Sequence, residues 1–500
     1  MGQHHHTSRR TSSDHNAIQV ICLGSGGGPS EDNVTGFLVR STASKWAKGS
    51  LLAVDAGSHL AAITRILERD FPLFDANKEP PSTTLQEGPF AGLSFPYASA
   101  RANAVHVVRE HVATYLITHP HLDHLAGFAI NTAAFHNTSR PKRLAALPFT
   151  VNAIKSHIFN DVIWPNLTDE DNGVGFVTFQ RLTEGGNLAL GDGHSRGFIE
   201  VCDGLEVKGF RISHGQCASA PRPDHQVRRG SNPNIGMMAP DGGRRASVFS
   251  QPSQPGTPTF YGQSGPQPDF MQTCVVDSTA FFIRAAETGM GREREILVFG
   301  DVEPDSISLC PRTRTVWAEA APKIALGILR GLLIECSYND DQPDAVLFGH
   351  LAPRHLIAEL QVLAEMVAER KKELGEKAGR KRKRASTHGG DDVMGNGDAG
   401  TGAATPKSHH AHSVQLPLDP DLDEKVNPSE PENGPPRIYE GPLKGVRVVV
   451  IHVKDTMTDG PPVGESILQE LWAHETRLAL QGKALGCSFE ISFSGASFLF

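Results

Sequence analysis

Five hundred residues with 39% hydrophobic content can bury a sizeable core, and a net charge of −8 leaves no global attraction to nucleic acid. The 50 glycines and 34 prolines concentrate in a few stretches, which points to one folded domain interrupted by inserts. No apolar run approaches the ~20 residues that span a bilayer, so no membrane partner is expected; the seven scattered cysteines lack a Cys-x-x-Cys pair and fit no simple disulfide framework, which places the chain in a reducing compartment, the cytosol or the nucleus.

In chain order, residues 1–16 are polar and basic and lack the apolar centre of a signal peptide, so they are read as a disordered tail. The His4-His5-His6 run within it is too isolated to support a metal site. A first strand over 17–23 runs into Gly24-Ser25-Gly26-Gly27-Gly28-Pro29. That loop lacks the Lys-Ser/Thr of a phosphate loop and its glycine spacing suits no dinucleotide fold, so it is read as a close-packed turn. Strands over 36–39 and 51–54 follow, then Asp55-Ala56-Gly57 and a helix over 59–69. Asp55 is read as a turn or supporting residue. Residues 76–104, rich in Pro, Gly and Ser, are expected to form a loop.

The apolar run Ala113 to Ile117 predicts a buried strand. It leads into Thr118-His119-Pro120-His121-Leu122-Asp123-His124. Residues two apart on an extended segment point the same way, so His119 and His121 can face one cation together. Asp123 and His124, where the chain turns toward a helix, can face a second cation close by. Imidazole and carboxylate suit zinc or similar divalent ions. The longer stretch Ile117 to Phe128, with Leu122 inside the motif and Gly127 after it, resembles the metal motif of the metallo-β-lactamase fold. Within that fold it resembles the class II cyclic-nucleotide phosphodiesterases of fungi and some microbes. His157 to Leu167 resembles the same family, and its aromatic and apolar content suggests packing near the site.

Further along, a short strand over 144–148 precedes a helix over 151–159. A strand over 206–212 ends at Ser213-His214-Gly215, where His214 can supply a third histidine ligand. Residues 218–272 are dominated by Pro, Gly, Ser, Asn and Arg and are read as a disordered insert. Strand character resumes over 273–284, and the buried strand from Glu295 ends in Gly300-Asp301, a carboxylate placed to bridge two metals. A helix over 315–325 and a strand over 328–336 follow, the latter carrying Glu335. Gly349-His350-Leu351-Ala352-Pro353 opens a helix to about 369, with Ala352 where the family pattern usually has Ser. Residues 371–441 are read as a second insert, whose basic run Arg380 to Arg384 is a solvated charge run or a nuclear-import signal. A strand over 446–450 delivers His452; a helix over 466–480 and a closing strand over 489–493 complete the chain.

The resemblance covers most of residues 17–500 outside the inserts. It implies an α/β fold, a four-layer αββα metallo-β-lactamase sandwich with disordered insertions at about 218–272 and 371–441. It also implies a centre of two divalent cations, zinc being the expected ion. His119, His121 and His214 would hold one, Asp123, His124 and His452 the other, and Asp301 would bridge them. The implied reaction is hydrolysis of the 3′,5′-cyclic phosphate of cAMP, with cGMP left open, to the 5′-nucleotide by an activated water, which would lower a cAMP signal. The leaving 3′-oxygen needs a proton or a positive partner. By analogy with enzymes of this fold that process tRNA ends, His350 oriented by Glu335 takes that role. Beside the cyclic nucleotide, Arg244-Arg245-Ala246-Ser247 suggests cAMP-dependent protein kinase as a partner acting at Ser247, and a second basic run precedes Ser386. Two other readings stay open: a different hydrolase on the same fold, acting on RNA, a thioester or a lactam, and a metal-binding scaffold without turnover.

Overall fold

The computed structural model describes residues 17–71, 82–219, 272–285, 293–386 and 438–500. The N-terminal tail, most of both expected inserts and Ser247 lie outside the described residues. The first half of the chain forms β1 (Ile18–Gly24), β2 (Gly36–Ser41), β3 (Leu51–Ala56), α1 (Leu60–Asp70), a small hairpin of β4 (Thr83–Thr84) and β5 (Ser94–Phe95), α2 (Ala100–His106), β6 (Val112–Leu116), α3 (Leu122–Asn131), β7 (Lys142–Ala146), α4 (Pro148–His157) and β8 (Val177–Arg181). The second half forms β9 (Ile199–Cys202), β10 (Leu205–Ser219), β11 (Gln272–Ala285), β12 (Glu295–Phe299), α5 (Thr313–Ala325), β13 (Leu329–Glu335), α6 (Pro353–Ser386), β14 (Arg447–Ile451), α7 (Val463–Leu480), β15 (Ser488–Ile491) and β16 (Ser497–Leu499).

Among the described residues these strands make two seven-stranded sheets, in the orders β16-β1-β2-β3-β6-β7-β8 and β15-β14-β13-β12-β11-β10-β9. The period of two along a strand decides the layers. Val20, Phe37, Val54 and Leu116 of the first sheet face Phe281, Val298, Leu333 and Val449 of the second. Their sequence neighbours Ile21, Leu38 and Tyr115 turn outward and pack with Ile63, Leu67, Leu125 and Phe128 of α1 and α3. On the far side Leu297, Leu332 and Val448 pack with helices α5, α6 and α7. The result is the expected αββα sandwich. Strands covered on both faces are almost continuously apolar, as in β12, where Ile296 to Phe299 are buried and only Glu295 at its start is charged, paired with buried Lys323 at 2.6 Å.

Several boundaries differ from expectation. The 76–104 loop contains a helix, α2, capped by Ser99 and anchored by buried Asn103, whose side chain bonds both the N–H and the C=O of Tyr97. Seven residues are too few for a helical period to show. The helix opening at Pro353 continues to Ser386, so the second insert begins as helix; Glu, Lys and Arg favour helix without needing a core. The third histidine was expected at a strand end. Instead β10 continues past it to Ser219, with a register shift between Ser213 and Gln216 and Gly215 at φ 74°. This β-bulge re-aims His214. Ser219 pairs with Gln272, so the first insert connects two ends that are already adjacent, which keeps the cost of a long connection low. The same register sets Cys217 opposite Cys274, and Cys274 is disulfide-bonded, unlike the free Cys22, Cys202, Cys310, Cys336 and Cys487. The last strand, β16, returns to pair with β1 through Gln19 and Leu499. No helix among the described residues is long and apolar enough to cross a membrane.

Trp317 of α5 is fully buried against Phe299 at 5.2 Å, and its indole N–H donates to Glu359 at 2.9 Å. Trp317→Ala is expected to cost about 3–5 kcal/mol through the cavity and the lost contacts. The check is the denaturant midpoint, with Trp317→Phe costing less; a midpoint equal to wild type in the alanine variant would contradict this packing.

Candidate metal centre

The carboxyl ends of the central strands converge at one edge of the sandwich, the usual location of sites in sheets with parallel strands. After β6 the chain runs Ile117-Thr118-His119-Pro120-His121 before α3 begins. Proline biases the residue before it toward extended backbone. His121, at the N-cap of α3, is also extended (φ −73°, ψ 151°). Asp123 and His124 come from the first turn of α3. His214 comes from the bulge of β10, Asp301 from two residues beyond β12, and His452 from the residue after β14.

Asp301 lies at the middle of this group. Its carboxylate oxygens are 3.2 Å from His124 Nε2, 3.1 Å from His452 Nε2, 3.6 Å from His214 Nε2 and 3.7 Å from His119 Nε2. Asp123 lies 3.9 Å from His124 Nε2 and 3.7 Å from His452 Nε2. Two ligand atoms held tetrahedrally by one zinc ion are about 3.3 Å apart, so these separations suit shared cations. One set, His119, His121, His214 and Asp301, offers ligand atoms all within 4.8 Å of one another; so does a second, Asp123, His124, Asp301 and His452. Both hold Asp301. The residues therefore fit two neighbouring cations, and the unsatisfied atoms agree. The Nε2 atoms of His119, His124 and His452 are buried without a hydrogen-bond partner, a costly state that a ligated cation would relieve.

The opposite ring nitrogens are occupied. His124 Nδ1–H donates to Asp55 at 2.7 Å, and His214 Nδ1–H to the carbonyl of Gly349 at 2.9 Å. His452 Nδ1 lies 2.8 Å from Thr35 Oγ1, and His119 Nδ1 lies 3.1 Å from Thr118 Oγ1. Such bonds orient each ring so that Nε2 points to the centre. Asp55 also accepts from Thr118 N–H at 2.8 Å, joining the ends of β3 and β6. Asp55 and His452 both adopt left-handed backbone (φ 51° and 58°), strain that collects at functional sites. The turn after β3 also needs glycine: a Cβ on Gly57 would sit 1.9 Å from the carbonyl oxygen of Asp123. Local sequence marks Asp55 through the Asp-x-Gly after a strand. Nothing local marks Thr35 or the Gly349 carbonyl, which reach the histidines only through packing.

Burial sets the protonation of the cluster. It holds His119 and His452 well below the usual imidazole range, and His121 and His214 below it. Burial would also lower His124, but the carboxylates of Asp301 and Asp55 override it and hold that ring well above its usual range. Burial would raise Asp301, but His124 and His452 hold it well below the carboxylate range. Neutral His119, His121, His214 and His452 beside an ionised Asp301 are in the ligand states that a divalent cation requires, and His124 would give up its proton on binding one.

Glu335 and His350 lie buried beside the centre. His350 Nδ1–H donates to Glu335 at 3.0 Å, and Glu335 is pinned by the N–H of Val302 at 2.6 Å and the hydroxyl of Ser337 at 2.6 Å. With His214 and Asp301 they form a third close set, His350 Nδ1 lying 3.9 Å from Asp301. Gly215 and Gly349 make this approach possible: a Cβ on Gly215 would sit 3.0 Å from the Cα of Gly349. Removing the charge of Asp55 should loosen the His124 ring that it orients. Asp55→Asn is expected to weaken metal binding about 10–100-fold, measured by competition with a chromophoric chelator; unchanged affinity would reject the support role.

Residues 17–219 and 266–376 match the family model described as class-II cAMP phosphodiesterases. A 3′,5′-cyclic-nucleotide phosphodiesterase of Schizosaccharomyces pombe is 26% identical over 352 residues, covering 70% of this chain and 77% of the relative. One from Candida albicans is 25% identical over 373 residues, covering 69% and 82%. The fold matches the crystal structure of unliganded yeast PDE1 with a TM-score of 0.57 at 19% identity, covering 97% of this chain and 100% of that one.

Proposed function

The chain belongs to the class-II cAMP phosphodiesterase family, a family of 3′,5′-cyclic-nucleotide phosphodiesterases, and from that premise we propose that it opens the cyclic phosphate of cAMP, and by the same chemistry cGMP, at a centre of two divalent cations. The observation that carries this reading is the ring of buried, unpartnered Nε2 atoms of His119, His124 and His452 about the Asp301 carboxylate. His119, His121 and His214 would hold one ion, Asp123, His124 and His452 the other, with Asp301 shared between them. The histidine-rich donor set favours zinc. Divalent cations bound there supply Lewis-acid stabilisation of the phosphoryl oxygens and acidify water.

The protein's own groups account for the rest. Hydrolysis forms a bond from a water oxygen to phosphorus and breaks the P–O3′ bond. The water therefore gives up a proton and O3′ gains one, leaving the 5′-nucleotide. His350 is our candidate donor to O3′. Its Nδ1–H is committed to Glu335, which leaves Nε2 for the substrate. Glu335 is itself held by Val302 and Ser337 and acts as the positioning residue.

The test is to assay the purified protein on cAMP, cGMP, a generic phosphodiester and RNA, with metal analysis of the same sample. Metal-dependent turnover of a cyclic nucleotide, with RNA spared, is the expected result. Preference for RNA, or turnover unaffected by metal removal, would overturn it.

A further inference from the structure

A cavity of about 570 Å³ opens beside the centre, within the range of nucleotide-sized sites. His121 and His214 line it, together with Gln216, Glu303, Asp344 and Phe348. Phe348 does nothing for the fold that explains it. The residue is 72% exposed, so it forgoes burial. Its backbone is left-handed (φ 53°), a conformation that costs a bulky residue about 1–3 kcal/mol and that asparagine or glycine would adopt more readily. Yet the backbone that follows it is tied to the metal centre. Gly349 follows it, accepts from His214 at its carbonyl, and packs against Gly215; His350 comes next. An aromatic face is thus held two residues from the proposed proton donor, at the wall of a cavity whose inner lining comes from the metal centre.

The cavity's charge narrows the ligand. Among the described residues it is lined by no lysine or arginine, and it contains the carboxylates of Glu303 and Asp344 and the amide of Gln216. Asp344 is paired with Arg354 at 2.5 Å and lies 3.2 Å from His355, and Glu303 accepts from the hydroxyl of Ser308. The lining itself presents no cation to further phosphates, and its remaining acceptor oxygens suit an uncharged ring bearing amino groups. A larger cavity of about 670 Å³ lies on the Asp123 side, but it contains none of the centre's histidines.

We propose that Phe348 is the platform on which the purine of the cyclic nucleotide stacks, within the cavity formed by His121, His214, Gln216, Glu303 and Asp344. This inference rests on the cyclic-nucleotide reading above, so its test is kept separate from turnover. Binding of AMP and of ribose 5-phosphate is measured by titration calorimetry on the full chain, for wild type, Phe348→Asn and Phe348→Tyr. Asparagine suits the backbone and removes the ring, so a merely structural role would survive it. AMP should bind about 5- to 100-fold more weakly to Phe348→Asn, tyrosine should restore the affinity, and ribose 5-phosphate should bind all three alike. Equal AMP affinity in wild type and Phe348→Asn would overturn the platform, as would a parallel loss for ribose 5-phosphate. Loss of AMP affinity in a protein that hydrolyses no cyclic nucleotide would sink the function and leave the platform standing; hydrolysis with unchanged AMP affinity would do the reverse.

Discussion

Asp301→Ala is expected to lower cAMP hydrolysis by more than about 10³-fold and to lower bound metal together with it. The carboxylate approaches the Nε2 atoms of His124, His452, His214 and His119 within 3.1–3.7 Å. It is the group common to both candidate cation sets, so its loss affects both sites at once. It also compensates four buried imidazoles, and the alanine variant leaves them facing an empty middle. Asp301→Asn separates charge from shape: the amide keeps the volume but bridges cations poorly, so it too should lose most activity. Elemental analysis of purified protein is the decisive measurement, with a melting curve to show that the variant still folds. A folded Asp301→Ala protein that keeps the wild-type metal content would reject the bridging role.

His350→Ala is expected to reduce turnover about 10²–10⁴-fold, the usual contribution of a positioned acid, while metal content stays at the wild-type level. His350 belongs to a third close set with His214, Asp301 and Glu335, so geometry alone would also allow it to be a ligand. The two roles separate cleanly. A ligand takes metal with it when removed; a proton donor takes only the chemical step. Burial opposes the imidazolium, but the Glu335 carboxylate outweighs it and holds His350 above its ordinary range, so the ring carries the proton a donor needs. Glu335→Gln should reproduce much of the loss, because Ser337 and Val302 still fix the side chain but the negative partner is gone. A second check uses the leaving group. A substrate whose leaving oxygen needs no proton, such as a 4-nitrophenyl phosphodiester, should lose far less rate in His350→Ala than cAMP does. Equal losses on both substrates, or a fall in bound metal, would reject the proton-donor assignment.

Where a residue's placement depends on chain within a few positions, the sequence alone determined it. His119, His121, Asp123 and His124 lie on a strand end and the first helical turn that follows, and two local periods are enough to group them. Asp301 and His452 follow strands whose unbroken apolar runs mark them as buried on both faces, so their place at a carboxyl edge could also be read. The tail and inserts were read from composition alone, and most of their residues lie outside the described ones. Tertiary structure alone decided the rest. β10 does not stop at Ser213; a bulge, required by pairing with β11, turns His214 inward. Thr35, Asp55 and the Gly349 carbonyl orient His452, His124 and His214 across long sequence separations. β16 is three residues long and is a strand only because β1 offers an open edge. Phe348, unremarkable in sequence, acquires meaning from a left-handed backbone beside two glycines in contact. Local residue order carries periodicity and turn chemistry, but the second partner of a hydrogen bond, a bulge or a cavity wall is supplied by a distant segment, and only the packed sandwich brings that segment into reach.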